Sequence, residues 1–401
     1  KVARINQGCS PIEGQEPGLD ELVESVVRAG RLHATTDYAD CQRAEIVIIA
    51  VETPIDADTR RPRYTALRSA LTSLGPHLRE GALVVVESTI APRTMRDVVQ
   101  PILEWSSDRA VDTGLFLAHC PERLTPRRLL RNLKTLPRVV GGATPEATEL
   151  AMALYRQIVD AELDPTDCLT AELVKTAENA YRDVQIAFAN ELALTCESVG
   201  GDVWTVRQFM NKLPGREILL PGAGVGGHCI PKDPWLLISS AEDRGFSPRL
   251  IPVARAVNDG MPFHVADLTV ATLERAGRPI NGSRIVILGY AYLENSDDAR
   301  NSPSEALANR LRTLRADVVV HDPYVPAYRG SLGAVVAAAD CLVLMVAHDA
   351  YRELDWPALR QAVRTPLIVD GRNILGDDGS AMAAGFMRAT LGVATPGPED
   401  R

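Results

Sequence analysis

The residues best equipped for chemistry lie together in Pro221-Gly222-Ala223-Gly224-Val225-Gly226-Gly227-His228-Cys229-Ile230-Pro231-Lys232-Asp233-Pro234. Glycine has no Cβ, so such a run lets a ligand approach the backbone closely. A cysteine directly after it, with Lys232 and Asp233 close behind, is a candidate nucleophile, because a nearby ammonium favours thiolate over thiol. The same stretch reads equally well as a flexible loop with a buried cysteine. A second set stands at helical spacing. Lys175 and Asn179 are one turn apart and share a face, with Arg182 on the same side. An ammonium and an amide so placed can hold a developing oxyanion. Taken alone, the ordinary meaning of such residues is a solvated polar face.

Further candidates follow apolar runs. Val51-Glu52-Thr53-Pro54 and Glu87-Ser88-Thr89 each end one in small hydroxylated residues. Open α/β sheets bind ligands beyond the carboxyl ends of their strands, so Thr53, Ser88 and Thr89 are positioned for a cofactor, although each is also an ordinary strand-ending turn. Cys120-Pro121-Glu122-Arg123 follows a third run, and Glu122 is a candidate general base. His119 and Cys120 read as packing residues, and His228 as a neighbour that structures the loop.

The elements that must position these residues alternate between strand and helix. Glu45–Val51, Ala82–Glu87 and Leu115–Ala118 read as buried parallel strands, and the rhythm returns in Arg284–Leu288, Asp317–His321, Cys341–Val346 and Leu367–Val369. The stretch between, about Thr166 to His264, reads as helical. Thr170 is a plausible N-cap for a helix running to the paired glycines at 200 and 201. Leu173, Ala177, Ala180, Val184 and Phe188 give it one apolar stripe, and roughly 30 residues would span about 45 Å, long enough to pair with a copy of itself. The fold class expected is α/β: two Rossmann-like doubly wound domains joined by a central helical domain with a long helix. The expected boundaries are 1–165, 166–265 and 266–395, with a loose tail at 396–401. No G-x-G-x-x-G precedes Glu45 and the chain opens at Lys1 without Met, so the sequence reads as starting partway into its first dinucleotide-binding domain.

Composition narrows the class. A chain of 401 residues is too long for one core. A net charge of −9 argues against a nucleic-acid partner. No apolar run approaches the roughly 20 residues of a membrane helix, and no signal segment opens the chain. Seven scattered cysteines without a C-x-x-C pair suit a reducing compartment, the cytoplasm, and not a disulfide framework or a zinc site.

Together these segments resemble the UDP-glucose/GDP-mannose dehydrogenase family. The resemblance runs from Ser10-Pro11-Ile12 and Glu16-Pro17-Gly18-Leu19 through V-x-T-P (51–54), E-S-T (87–89), P-E-R (121–123), Lys175–Asn190 and the Cys229 loop. It continues to Asp297-Asp298-Ala299-Arg300, Ser302-Pro303-Ser304 and Asp370-Gly371-Arg372-Asn373. Each motif is weak alone; their ordered co-occurrence is specific.

The resemblance implies an NAD-dependent, four-electron oxidation of a nucleotide sugar's primary alcohol to a carboxylate. Cys229 would form a thiohemiacetal and then a thioester, hydrolysed with help from Glu122. Lys175 and Asn179 would steady the oxyanions, and Asp233 would orient a water or proton relay. Thr53, Ser88, Thr89, Lys232 and Arg300 would contact the cofactor. Arg182, Arg216, Gly226, Gly227 and Arg372 would approach the substrate. The family resemblance also implies a homodimer through the central helix and a role in supplying surface polysaccharide or glycoconjugate. The segments at 120–123 and 224–229 resemble the branch acting on UDP-N-acetylmannosamine or its gluco isomer, whereas Lys232-Asp233 resembles the UDP-glucose branch. Leu293 stands where the family generally has a substrate-contacting lysine, and Arg127 where a glycine is usual. UDP-glucose or GDP-mannose therefore remains an alternative substrate. So does a protein that binds a nucleotide sugar without turnover, although such a protein needs no nucleophile.

Overall fold

A computed structural model describes residues 1–12, 16–124 and 128–394 of the chain. Arg127 and the expected tail lie outside the described residues. The chain forms two compact units. One comprises Lys1–Glu178 with Trp235–Ser247, the other Asn179–Pro234 with Pro248–Arg401.

The first unit is built on a five-stranded sheet of β1 (Ile46–Ile49), β2 (Ala82–Val86), β3 (Leu115–His119), β4 (Arg138–Gly142) and β5 (Leu163–Asp167), in that spatial order. β1, β2 and β3 run parallel, β4 pairs antiparallel with β3, and β5 is parallel to β4. β2 is buried along its whole length, as a continuous apolar run predicts. β1 departs from the expectation of a buried strand. It lies at the sheet edge, and Ile46 and Ile48 are 41% and 45% exposed. β4 and β5 were not anticipated: a glycine pair ends one, and Leu163-Asp164-Pro165-Thr166-Asp167 has poor strand propensity. Proline is tolerated there because β5 is the opposite edge strand.

The second unit carries an all-parallel sheet in the order β10 (Met387–Thr390), β9 (Leu367–Asp370), β8 (Cys341–Leu344), β6 (Arg284–Leu288), β7 (Asp317–His321). The chain passes from β6 to β7 on one side and returns to β8 on the other. The loops after β6 and β8 therefore flank a topological switch point, where such sheets bind ligands.

The long helix is Cys168–Val199, and Gly200, in the left-handed region at φ +86, follows its end. Its cap is one correction to the sequence reading. Asp167 accepts from the Thr170 amide at 3.0 Å and from the Thr170 hydroxyl at 2.6 Å, so Asp167, not Thr170, occupies the capping position. The helix also inverts the usual pattern. Leu173, Tyr181 and Phe188 are exposed, whereas Glu172, Lys175, Thr176, Asp183 and Asn190 are buried.

Candidate active site

In the first unit the loops after β1 and β2 brace each other. The Thr53 hydroxyl donates to the Thr89 carbonyl at 2.6 Å. Ser88 accepts from the Val51 amide at 2.8 Å and donates to the Val51 carbonyl at 2.7 Å. Both hydroxyls are thus spent on shaping the strand ends. Glu87 accepts from the Tyr155 hydroxyl at 2.6 Å and from Arg138 at 3.3 Å, which fixes the loop where it leaves β2. Cys120 packs beside this group, and burial pushes its thiol up to about 11. His119 is fully buried and donates to the Val86 carbonyl at 2.8 Å; burial lowers its pKa to about 4. Both are packing residues, as their sequence context suggested.

Glu122 and Lys175 meet in the same unit. The Lys175 ammonium donates to the Glu122 carbonyl at 2.5 Å and lies 3.8 Å from its carboxylate, with the lysine side chain 8% exposed. Arg123 pairs with Glu178, nearly one turn further along the long helix, and donates to the Pro137 carbonyl at 2.7 Å. The helix therefore grips the P-E-R segment twice.

The second unit holds the cysteine loop. The Asn190 side chain accepts from the Gly222 amide at 2.8 Å, and Arg372 donates to the Gly224 carbonyl at 3.1 Å. The Gly227 amide donates to the Arg300 carbonyl at 2.8 Å, and Asn301 donates to the Gly227 carbonyl at 2.9 Å. The glycines at 226 and 227 are required sterically. A Cβ on Gly226 would stand 2.5 Å from Tyr292 Cβ, and one on Gly227 would stand 2.8 Å from the Tyr292 ring. Just beyond this braced segment Cys229 is exposed. Its carbonyl accepts from the amides of Lys232, at 3.1 Å, and Asp233, at 2.8 Å, turning the chain so that both side chains point inward.

Asp233 has no exposed surface and accepts from the Asn179 amide nitrogen at 2.5 Å, with the Lys232 ammonium at 2.9 Å. Arg300 is clamped by Asp298. Burial works to raise the Asp298 pKa, but hydrogen bonds from Arg300 and Tyr292 outweigh it and hold the carboxyl below the usual range.

Asn179, Lys232, Asp233, Gly226, Gly227, Arg300 and Arg372 therefore belong to the bonded surroundings of the Cys229 loop. Glu122 pairs with Lys175, and Thr53, Ser88 and Thr89 form a third group. Arg182 and Arg216 are exposed. The sequence reading missed Glu172, Asp183, Asn190 and Tyr292. Glu172, Thr176, Asn179, Asp183 and Asn190 recur at spacings of four, three, four and seven, the signature of one helical face. That signal was available, but a polar stripe ordinarily means water. Among the described residues no cluster of metal-ligating side chains occurs, and no helix is long and apolar enough to cross a membrane.

Residues 1–159 match the NAD binding domain of the UDP-glucose/GDP-mannose dehydrogenase family, residues 169–260 its central domain and residues 286–377 its UDP binding domain. The chain is 37% identical over 375 residues to a UDP-N-acetyl-D-mannosamine dehydrogenase of Pyrococcus horikoshii, covering 93% of this chain and 88% of that protein. It is 36% identical over 388 residues to an NDP-N-acetyl-D-galactosaminuronic acid dehydrogenase of Ralstonia nicotianae, with the same coverage. The structure of the UDP-D-ManNAc dehydrogenase from P. horikoshii superposes with a TM-score of 0.91 at 35% identity, over 98% of this chain and 91% of that one.

Proposed function

Because this chain belongs to the UDP-glucose/GDP-mannose dehydrogenase family and is an NAD-dependent nucleotide-sugar dehydrogenase, we propose that its substrate is a UDP-N-acetylhexosamine, UDP-N-acetylmannosamine first. The observation that carries the mechanism is the contrast around Cys229: the cysteine is exposed, while Lys232 and Asp233 close behind it are buried and paired. A structural cysteine needs no such support, whereas a nucleophile must be held in place.

The chain's own residues fit the cofactor at the carboxyl ends of β1, β2 and β3, where two mutually braced loops present backbone to a ligand. Thr53 and Ser88 act there through the loop shape they enforce, with Thr89 beside them; Lys232 and Arg300 are the further cofactor contacts that the family resemblance implies. NAD, when bound, accepts one hydride in each of two successive oxidations at the sugar's C6.

Cys229 Sγ adds to the aldehyde carbon produced by the first oxidation, giving a thiohemiacetal. The second oxidation leaves a thioester. Water adds to its carbonyl with Glu122 taking the proton, and the thiolate departs to release the uronate. Lys175 and the second N–H of Asn179 stabilise the oxyanion at each tetrahedral stage. Asp233, already bonded to Asn179, keeps that amide turned with its nitrogen as donor and serves the proton relay. Arg372 binds the anionic part of the substrate: its guanidinium donates to the carbonyls of Met345 and Gly224, and no salt bridge to a carboxylate occupies it among the described residues. Gly226, Gly227, Arg182 and Arg216 line the remaining substrate path.

The enzyme works in the cytoplasm, a reading supported by its seven free cysteines. It functions as a homodimer, for which the exposed Leu173, Tyr181 and Phe188 on the long helix supply an apolar contact face.

The test is NADH formation by the full-length protein with UDP-N-acetylmannosamine, UDP-N-acetylglucosamine, UDP-glucose and GDP-mannose, beside Cys229→Ala. Two NADH per sugar from an N-acetylated substrate, lost in the variant, is the expected result. Turnover of UDP-glucose or GDP-mannose alone would overturn the substrate assignment, and full turnover by Cys229→Ala would overturn the thioester.

A further inference from the structure

Glu172 lies one turn before Lys175 on the long helix and is 1% exposed. Its two carboxylate oxygens are used separately. Oε2 accepts from the Arg93 amide at 2.6 Å, and Oε1 accepts from the Met95 amide at 2.7 Å. These amides lie at the end of the segment that follows Glu87-Ser88-Thr89, where the chain turns into the π-helical turn Met95–Val99 and the helix Gln100–Ser107. Amides at a helix start have no partner within the helix, and a carboxylate is the acceptor best matched to them. Arg93 itself sits in the left-handed region at φ +74, a conformation that a non-glycine residue keeps only when its surroundings enforce it.

The rest of the segment is tied as closely. Tyr64 accepts from the Ala91 amide at 2.9 Å and shares a hydrogen bond with Thr94 at 2.8 Å, and Thr94 donates to the Ala91 carbonyl at 2.6 Å. Ser240 donates to the Pro92 carbonyl at 3.1 Å. At the near end Ser88 and Thr53 lock the loop to β1. Among these ties Glu172 alone comes from the long helix, and it comes from the turn that precedes Lys175. Lys175 holds the Glu122 segment through its carbonyl. Two consecutive turns of one helix thus grip two different strand-end loops, one through a carboxylate and one through an ammonium.

We propose that Glu172 is a positioning residue that registers the Ser88–Thr94 loop to the helix bearing Lys175, so that the cofactor loop and the oxyanion-stabilising lysine are held as one piece. This rests on the assignment of Ser88 and Thr89 to the cofactor site. Glu172 touches no reacting atom in this scheme; it acts through the amides of Arg93 and Met95. A glutamine fits the same space but cannot replace it. Its carbonyl satisfies one amide, and its NH2 then faces the other, donor against donor.

The test compares the wild-type protein, Glu172→Gln and Thr176→Val, measuring NADH affinity by calorimetry and then KM for NAD and kcat. Thr176 is equally buried on the same helix, but its hydroxyl bonds only to carbonyls of its own preceding turn, so it controls for a general weakening of the helix. Glu172→Gln is expected to weaken NADH binding and raise KM for NAD by roughly tenfold to a hundredfold, the scale of a misplaced binding group. Thr176→Val is expected to leave both within about twofold while lowering the melting temperature similarly. Glu172→Asp, whose carboxylate is one methylene short of reaching both amides, should fall between and serves if the glutamine variant does not fold. Unchanged NADH affinity in the Glu172 variants, or an equal loss in Thr176→Val, overturns the inference. Calorimetry needs no turnover, so wild-type protein that binds NADH but oxidises no sugar would count against the proposed substrate and leave this test intact. Wild-type protein that binds no NADH would defeat the cofactor assignment and this inference with it.

Discussion

Gly227→Ala gives a sharp test of how the nucleophile loop is held. The residue sits at φ +85, and its backbone cannot relax, because its amide is bonded to the Arg300 carbonyl and its carbonyl to Asn301. Forcing an L-residue into that region costs about 1–2 kcal/mol. The added Cβ would also stand 2.8, 3.0 and 3.2 Å from three carbons of the Tyr292 ring. Pushing the ring aside is an overpacking cost of about 1–3 kcal/mol. The two contributions sum to about 2–5 kcal/mol.

Only the second depends on the ring, so a double-mutant cycle with Tyr292→Ala separates them. Tyr292→Ala alone should destabilise by loss of packing. Combined with Gly227→Ala it should cost less than the sum of the singles, by about 1–3 kcal/mol. Urea unfolding supplies the cycle, and peptide mapping of alkylated Cys229 reports the loop locally. Gly227→Ala with wild-type stability and wild-type Cys229 alkylation would refute the steric account; a strictly additive double variant would refute the role of Tyr292.

Two further outcomes follow from buried charge. Arg255 and Asp183 are 1% and 0% exposed and bonded at 2.5 Å, and Asp183 also receives Asn258, which itself bonds Asn190, the residue holding Gly222. Arg255→Met strands the carboxylate and should cost about 3–5 kcal/mol in urea unfolding; a loss under about 1 kcal/mol would mean the pair is not structural. Asp322 is a buried acid-sensitive group of the second unit. Burial favours its neutral form, but His348 and the amides of Ala291, Tyr290 and Val325 outweigh burial and hold its carboxyl well below the usual carboxylate range. Its contribution is therefore present above the ordinary value of 3.8 and is lost as pH falls from there toward the depressed native value. Asp322→Asn should lower stability at pH 7 and flatten the stability profile below about pH 4, and an unchanged acid limb would count against it.

Much of the scaffold was legible because its signals are local. The apolar runs that became β2, β6 and β8 need no knowledge of their neighbours, and the glycine pair after Val199 ends the long helix wherever that helix lies. β5 was not legible: Leu163-Asp164-Pro165-Thr166-Asp167 is a strand only because β4 offers it a ladder. The Thr170 cap was misplaced by three residues because Asp and Thr are both good caps, and only the folded geometry shows which one accepts the free amides.

The candidate site divides the same way. Residue type and spacing made Cys229 after its glycines, Glu122 after a strand, and Lys175 one turn before Asn179 candidates. The family resemblance, not spacing, lifted Cys229, Lys175 and Asn179 above a flexible loop and a solvated polar face. The tertiary structure decided which face of the helix was inside. By the usual hydrophobic criterion Leu173 and Phe188 should be buried, and Glu172, Asp183 and Asn190 should meet water. The reverse holds, since Arg93, Met95, Arg255, Asn258 and Gly222, remote in sequence from the residues they meet, satisfy those polar groups. Burying a polar group is costly only when it is unpaired. Pairing is a property of the folded chain, and no periodicity along the helix itself encodes it.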